Sequence, residues 1–203
     1  MKTRRWAVAA LIALTSCTEV KHFGAYWDKG VVDPALAGRW NKMAEPGFSM
    51  SSTPGVYTYV FEKDGSSYSL RMINPIDPRL PADEAARQKA DNETRYAVRT
   101  LTIGGHTFFM VKLPPGPPGQ QDGIVERYDI SGGVLREYHM DARRTSEWLE
   151  AKHPTAKNIS VTTGDGAQVT IDTFDDDVFR LLSEVADDPK YWGLVERHRK
   201  VTK

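Results

Sequence analysis

The chain has 203 residues, with 27 basic and 27 acidic side chains and a negative mean hydropathy. This length and composition are typical of one globular domain with a core of its own, and the lack of a basic excess argues against a nucleic acid partner. Cys17 is the single cysteine, so an internal disulfide is excluded, and packing and hydrogen bonds must hold the fold.

The N-terminal 16 residues have the pattern of a cleavable signal peptide. Lys2, Arg4 and Arg5 form a basic start, and the apolar run 6–14 follows it. This run is too short to cross a bilayer as a helix, which takes roughly twenty residues. We therefore predict that residues 1–16 are removed on export, which leaves a small acidic excess in the mature chain.

The apolar run ends at Leu14-Thr15-Ser16-Cys17. An aliphatic residue, two small residues and a cysteine resemble the lipobox of bacterial lipoproteins. The resemblance implies cleavage just before Cys17, a diacylglyceryl group on its sulfur, and anchoring by two or three acyl chains such as palmitate. A lone cysteine without a disulfide partner agrees with this modification. The alternative is a plain secretory signal followed by an unrelated cysteine.

The resemblance also carries an expectation about location. Aspartate after the lipobox cysteine commonly retains Gram-negative lipoproteins in the inner membrane, whereas this chain has Thr18 there. For a Gram-negative source, we expect an outer-membrane anchor with the domain facing the periplasm. We predict that residues 17–33 are the lipidated cysteine and a tether, and that residues 34–203 form a single β-rich domain. Aromatic residues of the tether are expected to dock on that domain: Phe23, Tyr26 and Trp27.

Short segments with β-like patterns follow one another along the domain, separated by turn residues. Several show apolar and polar alternation, and Asp64-Gly65 and Gly104-Gly105 are typical of tight hairpin turns. The predicted strands are 38–43, 56–62, 67–73, 94–103, 106–113, 124–130, 134–140, 158–163 and 167–172. Consecutive hairpins predict a mainly β, α+β fold, an antiparallel meander of about eight to nine strands that tends to close into a barrel.

Four short helices are predicted beside the strands. A polar helix is expected at 81–90, and Asp141 can cap a second helix over 141–152. An amphipathic stripe indicates a third helix behind 173–176, and the aromatic residues and basic end of 189–201 indicate a fourth.

Gly38-Arg39-Trp40 stands at the start of the first predicted barrel strand. The motif resembles the Gly-x-Trp signature of lipocalins, which are eight-stranded up-and-down barrels. The resemblance implies that Gly38 permits a tight entry into the strand and that Trp40 closes the barrel floor. The late arginine that stacks on the lipocalin tryptophan is not identified in this sequence. The alternative is that Trp40 is simply a core aromatic residue at a strand start.

No pattern in the sequence indicates catalysis, a metal site or a cofactor. The chain has no Gly-x-Ser-x-Gly or His-Glu-x-x-His motif, and its five histidines are scattered. His106 and His139 lie in predicted strands and could meet in space, but surface or hydrogen-bonded histidines are commoner than ligands. The acidic cluster 172–177 lacks the spacing of an EF-hand and fits a helix start. We therefore predict a non-enzymatic protein without metal or cofactor.

Two binding functions remain for the domain, with an envelope hydrolase as a third hypothesis. The first is a barrel that encloses a small apolar ligand, which requires a cavity of several hundred Å³. The candidate inward residues are Tyr68, Leu70, Met72, Tyr96, Val98, Phe108 and Met110. The second is an assembly or adaptor lipoprotein that binds an envelope protein through the proline-rich loop 114–123 and the aromatic segment 23–27.

Overall fold

A computed structural model of the chain describes residues 18–43, 57–115, 121–164 and 167–202. The signal peptide, the lipobox with Cys17, and the middle of the proline-rich loop lie outside the described residues. The strands are β1 (Thr18–His22), β2 (Gly38–Lys42), β3 (Thr58–Asp64), β4 (Ser67–Ile73), β5 (Tyr96–Ile103), β6 (His106–Lys112), β7 (Gly123–Ser131), β8 (Val134–Met140), β9 (Ile159–Thr162), β10 (Gln168–Thr173) and β11 (Trp192–Lys200). The helices are α1 (Tyr26–Lys29), α2 (Ala82–Glu93), α3 (Ala142–Lys152) and α4 (Asp176–Val185), with 3₁₀ turns at Pro34–Leu36 and Pro189–Tyr191.

Eight of these strands close into an antiparallel barrel. They follow one another around it in chain order, from β2 to β8, and β11 completes the circle by pairing with both β8 and β2. The closing strand places His198 opposite Leu135 on one side and opposite Lys42 on the other. The mainly β, barrel-like fold predicted from the sequence is confirmed.

The predicted C-terminal helix over 189–201 is wrong. Only Pro189–Tyr191 is helical, and Trp192–Lys200 forms β11, the last strand of the barrel. The sequence of this segment does not indicate a strand, because its inward side chains are polar: Glu196 and His198 are buried while Arg199 is exposed. A search for apolar residues at period two finds no strand in such a sequence.

The predicted tether over 17–33 is also not what the structure shows for its described part. Thr18–His22 forms β1, which pairs in parallel with β10 and antiparallel with β7. The expected docking of aromatic residues is present, because Phe23 and Tyr26 are buried in a core and Trp27 packs against it. No period reveals β1 in the sequence, because its place depends on β7 and β10, more than a hundred residues away.

The barrel wall has a core on each side. The interior holds an aromatic-rich core that includes Trp40, Phe61 and Phe109. Outside the wall, β1, β10 and β9 extend the sheet from β7, and these strands with α3 and α4 cover a second core. Phe108 and Met110 belong to the outer core and not to the interior as predicted. Because β6 is apolar on both faces, its sequence does not indicate which residues point inward.

The two ends of the barrel differ in their connections. At one end, here called the floor, the tight turns 65–66, 104–105 and 132–133 join neighbouring strands. At the other end, here called the mouth, the long connections 43–57, 74–95, 113–122 and 141–191 join them. A binding site that is open to solvent would therefore be expected at the mouth, where the long connections could supply its residues.

Trp40 lies in the inner core, two residues after the floor end of β2. Its indole Nε1 donates a hydrogen bond to Leu36 O at 2.7 Å, and its side chain is fully buried. Lys200 Nζ lies 5.0 Å from the centre of the Trp40 ring, so a lysine cation covers the ring where lipocalins have an arginine. Gly38 has a φ of 114°, a conformation that favours glycine at this entry to β2.

Candidate functional site

Side chains fill most of the barrel interior. Five candidate inward residues lie there as predicted: Tyr68, Leu70, Met72, Tyr96 and Val98. Between them and their neighbours remains a cavity of about 30 Å³, lined mainly by aromatic and aliphatic side chains and by Glu126 and Glu137. A space of this size holds a water molecule or two, not a drug-sized apolar ligand.

Three glutamates and two histidines inside this barrel form what we call the acid–histidine cluster. Its members are Glu126, Glu137, His139, Glu196 and His198, all of them buried. Glutamate is almost never fully buried unless it is paired, because taking a carboxylate out of water is costly. Three buried glutamates in one small barrel are therefore the most unusual chemical feature of the described chain.

The cluster comes from three neighbouring strands. Glu126 lies on β7, Glu137 and His139 lie on β8, and the remaining two residues lie on β11. Side chains two residues apart share a face of a strand, so each Glu-x-His pair on β8 and β11 points inward together.

A β-bulge in β11 turns its polar residues inward. Trp192 lies opposite Met140, and both pack in the outer core. The register shifts between Leu194 and Glu196, which places Glu196 opposite Glu137 on the inner face. Without the extra residue, the even-numbered positions would stay on the outer face along the whole strand.

His198 stands between two carboxylates. Its Nε2 lies 3.1 Å from Glu196 Oε2 and 3.3 Å from Glu137 Oε1. Glu137 and Glu196 are also direct cross-strand neighbours, an arrangement that is unfavourable when both are charged. Glu137 Oε1 is buried, and among the described residues it has no hydrogen-bond partner. The site therefore has a place for a positive charge or a proton between these groups.

Side chains from β2, from β3 and from Tyr57 just before β3 hold Glu196 and His198 in position. Lys42 Nζ lies 2.7 Å from Glu196 Oε1, and the Tyr57 hydroxyl donates a hydrogen bond to Glu196 Oε2. The Tyr59 ring stacks on the His198 imidazole, with 4.3 Å between ring centres. His139 Nε2 lies 3.0 Å from Glu126 Oε1 as a separate pair.

The two facing glutamates have opposite pKa shifts. Burial raises the pKa of Glu137 well above its usual value, and the nearby charges of Glu126 and Glu196 raise it further. Burial also acts to raise the pKa of Glu196, but hydrogen bonds from His198, Lys42 and Tyr57 outweigh it and bring the pKa to about 2. One carboxyl group thus favours the neutral form and its neighbour the charged form.

His106 and the acidic residues 172–177 lie outside this cluster. His106 pairs with Asp187 at 2.6 Å near the floor and does not meet His139. In the acidic cluster, Asp175 caps α4 through the Val178 N–H, and Asp176 accepts a hydrogen bond from Tyr26. The acid–histidine cluster was missed because β11 was predicted to be helical. The repeated Glu-x-His at 137–139 and 196–198 is the signal that two strand assignments would have revealed.

Comparisons of the chain with protein-family models, with curated proteins and with solved structures found no match. The fold is an eight-stranded antiparallel barrel, which is the architecture that the lipocalin-like motif implies. Within the described residues, no helix is both long and apolar enough to span a bilayer.

Proposed function

We propose that this protein is a lipid-anchored lipoprotein of the bacterial envelope whose barrel is a non-enzymatic binding domain. The observation that carries the binding function is the acid–histidine cluster inside a closed barrel. Buried ionic groups are poor stabilisers, and apolar residues of similar size usually serve a core as well or better. A barrel that keeps three buried glutamates therefore bears a cost that a ligand can offset.

The cluster also indicates what kind of ligand to expect. An apolar ligand inside the barrel needs a hollow far larger than the cavity of about 30 Å³ beside Glu137. Carboxylates and imidazoles instead suit a small polar or cationic ligand. We therefore propose a small ligand of this chemistry in place of the apolar one expected from the sequence.

The binding function is tested on the mature protein extracted from the envelope in mild detergent. Native mass spectrometry should show a stoichiometric added mass that the double variant Glu196→Gln, His198→Gln does not carry. An unliganded mass for both proteins would contradict the binding function. Co-purification of a stoichiometric envelope protein with that unliganded mass would support the adaptor alternative.

The lipobox resemblance supports the anchor, as does the single cysteine at the end of the apolar run. We expect wild-type protein to incorporate labelled palmitate and to sediment with outer membranes. Cys17→Ala should lose the label and the cleavage, because the sulfur that receives the diacylglyceryl group is gone. Ser16→Ala is the matched control, since it keeps a small residue in the motif. Membrane association and unchanged processing in Cys17→Ala would contradict the proposal.

A further inference from the structure

We infer that Glu137, Glu196 and His198 form a binding site for one divalent transition-metal ion inside the barrel. This inference rests on the proposed binding function and gives its ligand a chemical class. The three residues lie on adjacent strands, β8 and β11, and all three are buried.

The donor atoms already have the spacing of a metal site. One potential ligand atom from each residue lies within 4.8 Å of the other two. The distances from His198 Nε2 to the two carboxylate oxygens are 3.1 Å and 3.3 Å. Ligands that bind zinc tetrahedrally at their usual bond lengths are separated from one another by roughly 3.3–3.6 Å. Small side-chain movements would therefore complete the coordination.

A second, independent observation points to a cation. Glu137 is only 2% exposed, and its Oε1 faces His198 at 3.3 Å but makes no hydrogen bond within the part of the chain that the structure describes. The Tyr59 hydroxyl donates a long hydrogen bond of 3.5 Å to the other oxygen of Glu137. An unsatisfied carboxylate oxygen is costly in a buried place, and a metal ion would supply its missing partner.

The side chains around the three proposed ligands hold those ligands in position. Lys42 binds Oε1 of Glu196, and Oε2, which accepts a hydrogen bond from Tyr57, faces His198. The Tyr59 ring lies against the imidazole and fixes its plane. Contacts of this kind orient the ligands of metal sites and are part of their affinity.

The ligand set narrows the choice of ion. Imidazole nitrogen suits zinc, copper, iron and nickel, and carboxylate oxygens extend the set to manganese. Three protein ligands leave at least one coordination position for water or another small ligand.

The test uses the mature full-length protein in detergent, without a histidine tag and treated with a chelator. Titration with Zn²⁺ and, separately, Mn²⁺ should show one site per chain by calorimetry, and elemental analysis should find one ion after dialysis. Glu137→Gln and His198→Gln should each weaken binding by about 100-fold or more, since each removes a ligand. His106→Gln is the matched control, because His106 pairs with Asp187 near the floor.

Two further measurements keep the result unambiguous. Near-ultraviolet circular dichroism must show that each variant is folded, and Co²⁺ absorption should report a site with imidazole ligation that His198→Gln lacks. Absence of stoichiometric binding by the wild type, or equal affinity in the ligand variants, would overturn the inference. If the envelope extract retains an organic ligand and no metal, the metal site is overturned while the binding function stands. If the extract retains nothing, the binding function fails whatever the titration shows.

Discussion

Glu137 and Glu196 show how one residue type acquires two chemical characters from its surroundings. Lys42, Tyr57 and His198 all contact Glu196, and their hydrogen bonds keep its pKa low despite burial. Among the described residues, Glu137 has a long hydrogen bond from Tyr59 and the approach of His198. Burial, followed by the charges of Glu126 and Glu196, therefore dominates and raises its pKa. The pair thus holds one negative charge where two carboxyl groups meet.

The raised pKa of Glu137 predicts how stability depends on pH in the metal-free protein. In the unfolded chain, a glutamate carboxyl group has a pKa of about 4.3. Above that pH, the native state therefore keeps a proton on Glu137 that the unfolded state releases. Stability from this group is therefore complete below about pH 4.3 and falls as the pH rises towards the higher native pKa. Glu137→Gln should remove this loss and raise the free energy of unfolding at neutral pH by about 1–3 kcal/mol.

Urea unfolding of the two proteins between pH 4 and pH 8, with chelator present, measures this effect. Asp129→Asn is a suitable control, because Asp129 is more exposed and pairs with Arg136. Its pH profile should follow that of the wild type. Identical pH profiles for wild type and Glu137→Gln would show that Glu137 is not held as a neutral acid.

At the scale of elements, the strands that form hairpins were predictable and the strands that depend on distant partners were not. β3 to β8 follow from alternation and from turn glycines, which act within a few residues. β1 and β11 pair with strands that are far away in the chain, so no local sequence pattern predicts them. The sequence pattern did not indicate the candidate site, because it predicted a helix in place of β11. Glu196 and His198 share an inward face only when that segment is extended.

Gly123 lies where β7 is paired with a strand on each side. It lies opposite Lys112 on β6 and opposite Val20 on β1, and a Cβ there would come within 1.9 Å of Val111 O. Backbone held from both sides cannot move away, so Gly123→Ala should destabilise the protein by about 3 kcal/mol. Thermal and urea unfolding measure the loss.

Gly193 offers the matched comparison, since it is also a strand glycine and a Cβ there meets nothing within 4 Å. Gly193→Ala should change stability by less than about 1 kcal/mol and can increase it by restricting the unfolded chain. Equal effects of the two substitutions would mean that the close approach at Gly123 is not a constraint on the fold.

At the scale of the whole molecule, two cores share one barrel wall. The inner core includes Trp40, and the outer core includes Trp192, whose indole donates a hydrogen bond to Val185 O. The strands between the cores have side chains in both, as neighbouring Phe108 and Phe109 show. Because loss of either core removes support from the same strands, we expect the domain to unfold as one unit.

Variants that keep only Trp40 or only Trp192 as a fluorophore test this expectation, with phenylalanine at the other tryptophan positions. In each variant, the urea midpoint from fluorescence should coincide with the midpoint from far-ultraviolet circular dichroism of the same protein. This comparison within one variant cancels any destabilisation caused by the substitutions. A Trp192 signal that changes at lower urea than the dichroism would show an outer layer that unfolds separately.

β1 begins at the residue that follows Cys17, and this bears on how far from a bilayer the protein could operate. One residue spans at most about 3.6 Å, and Thr18 to Val20 are already paired with β7. With Cys17 acylated, no flexible linker would separate the domain from the bilayer. The domain would lie against the lipid headgroups with restricted rotation and would diffuse in the plane of the membrane. It would then take its ligand from the layer of solvent at the membrane surface, and it could not reach across the periplasm to the opposite membrane.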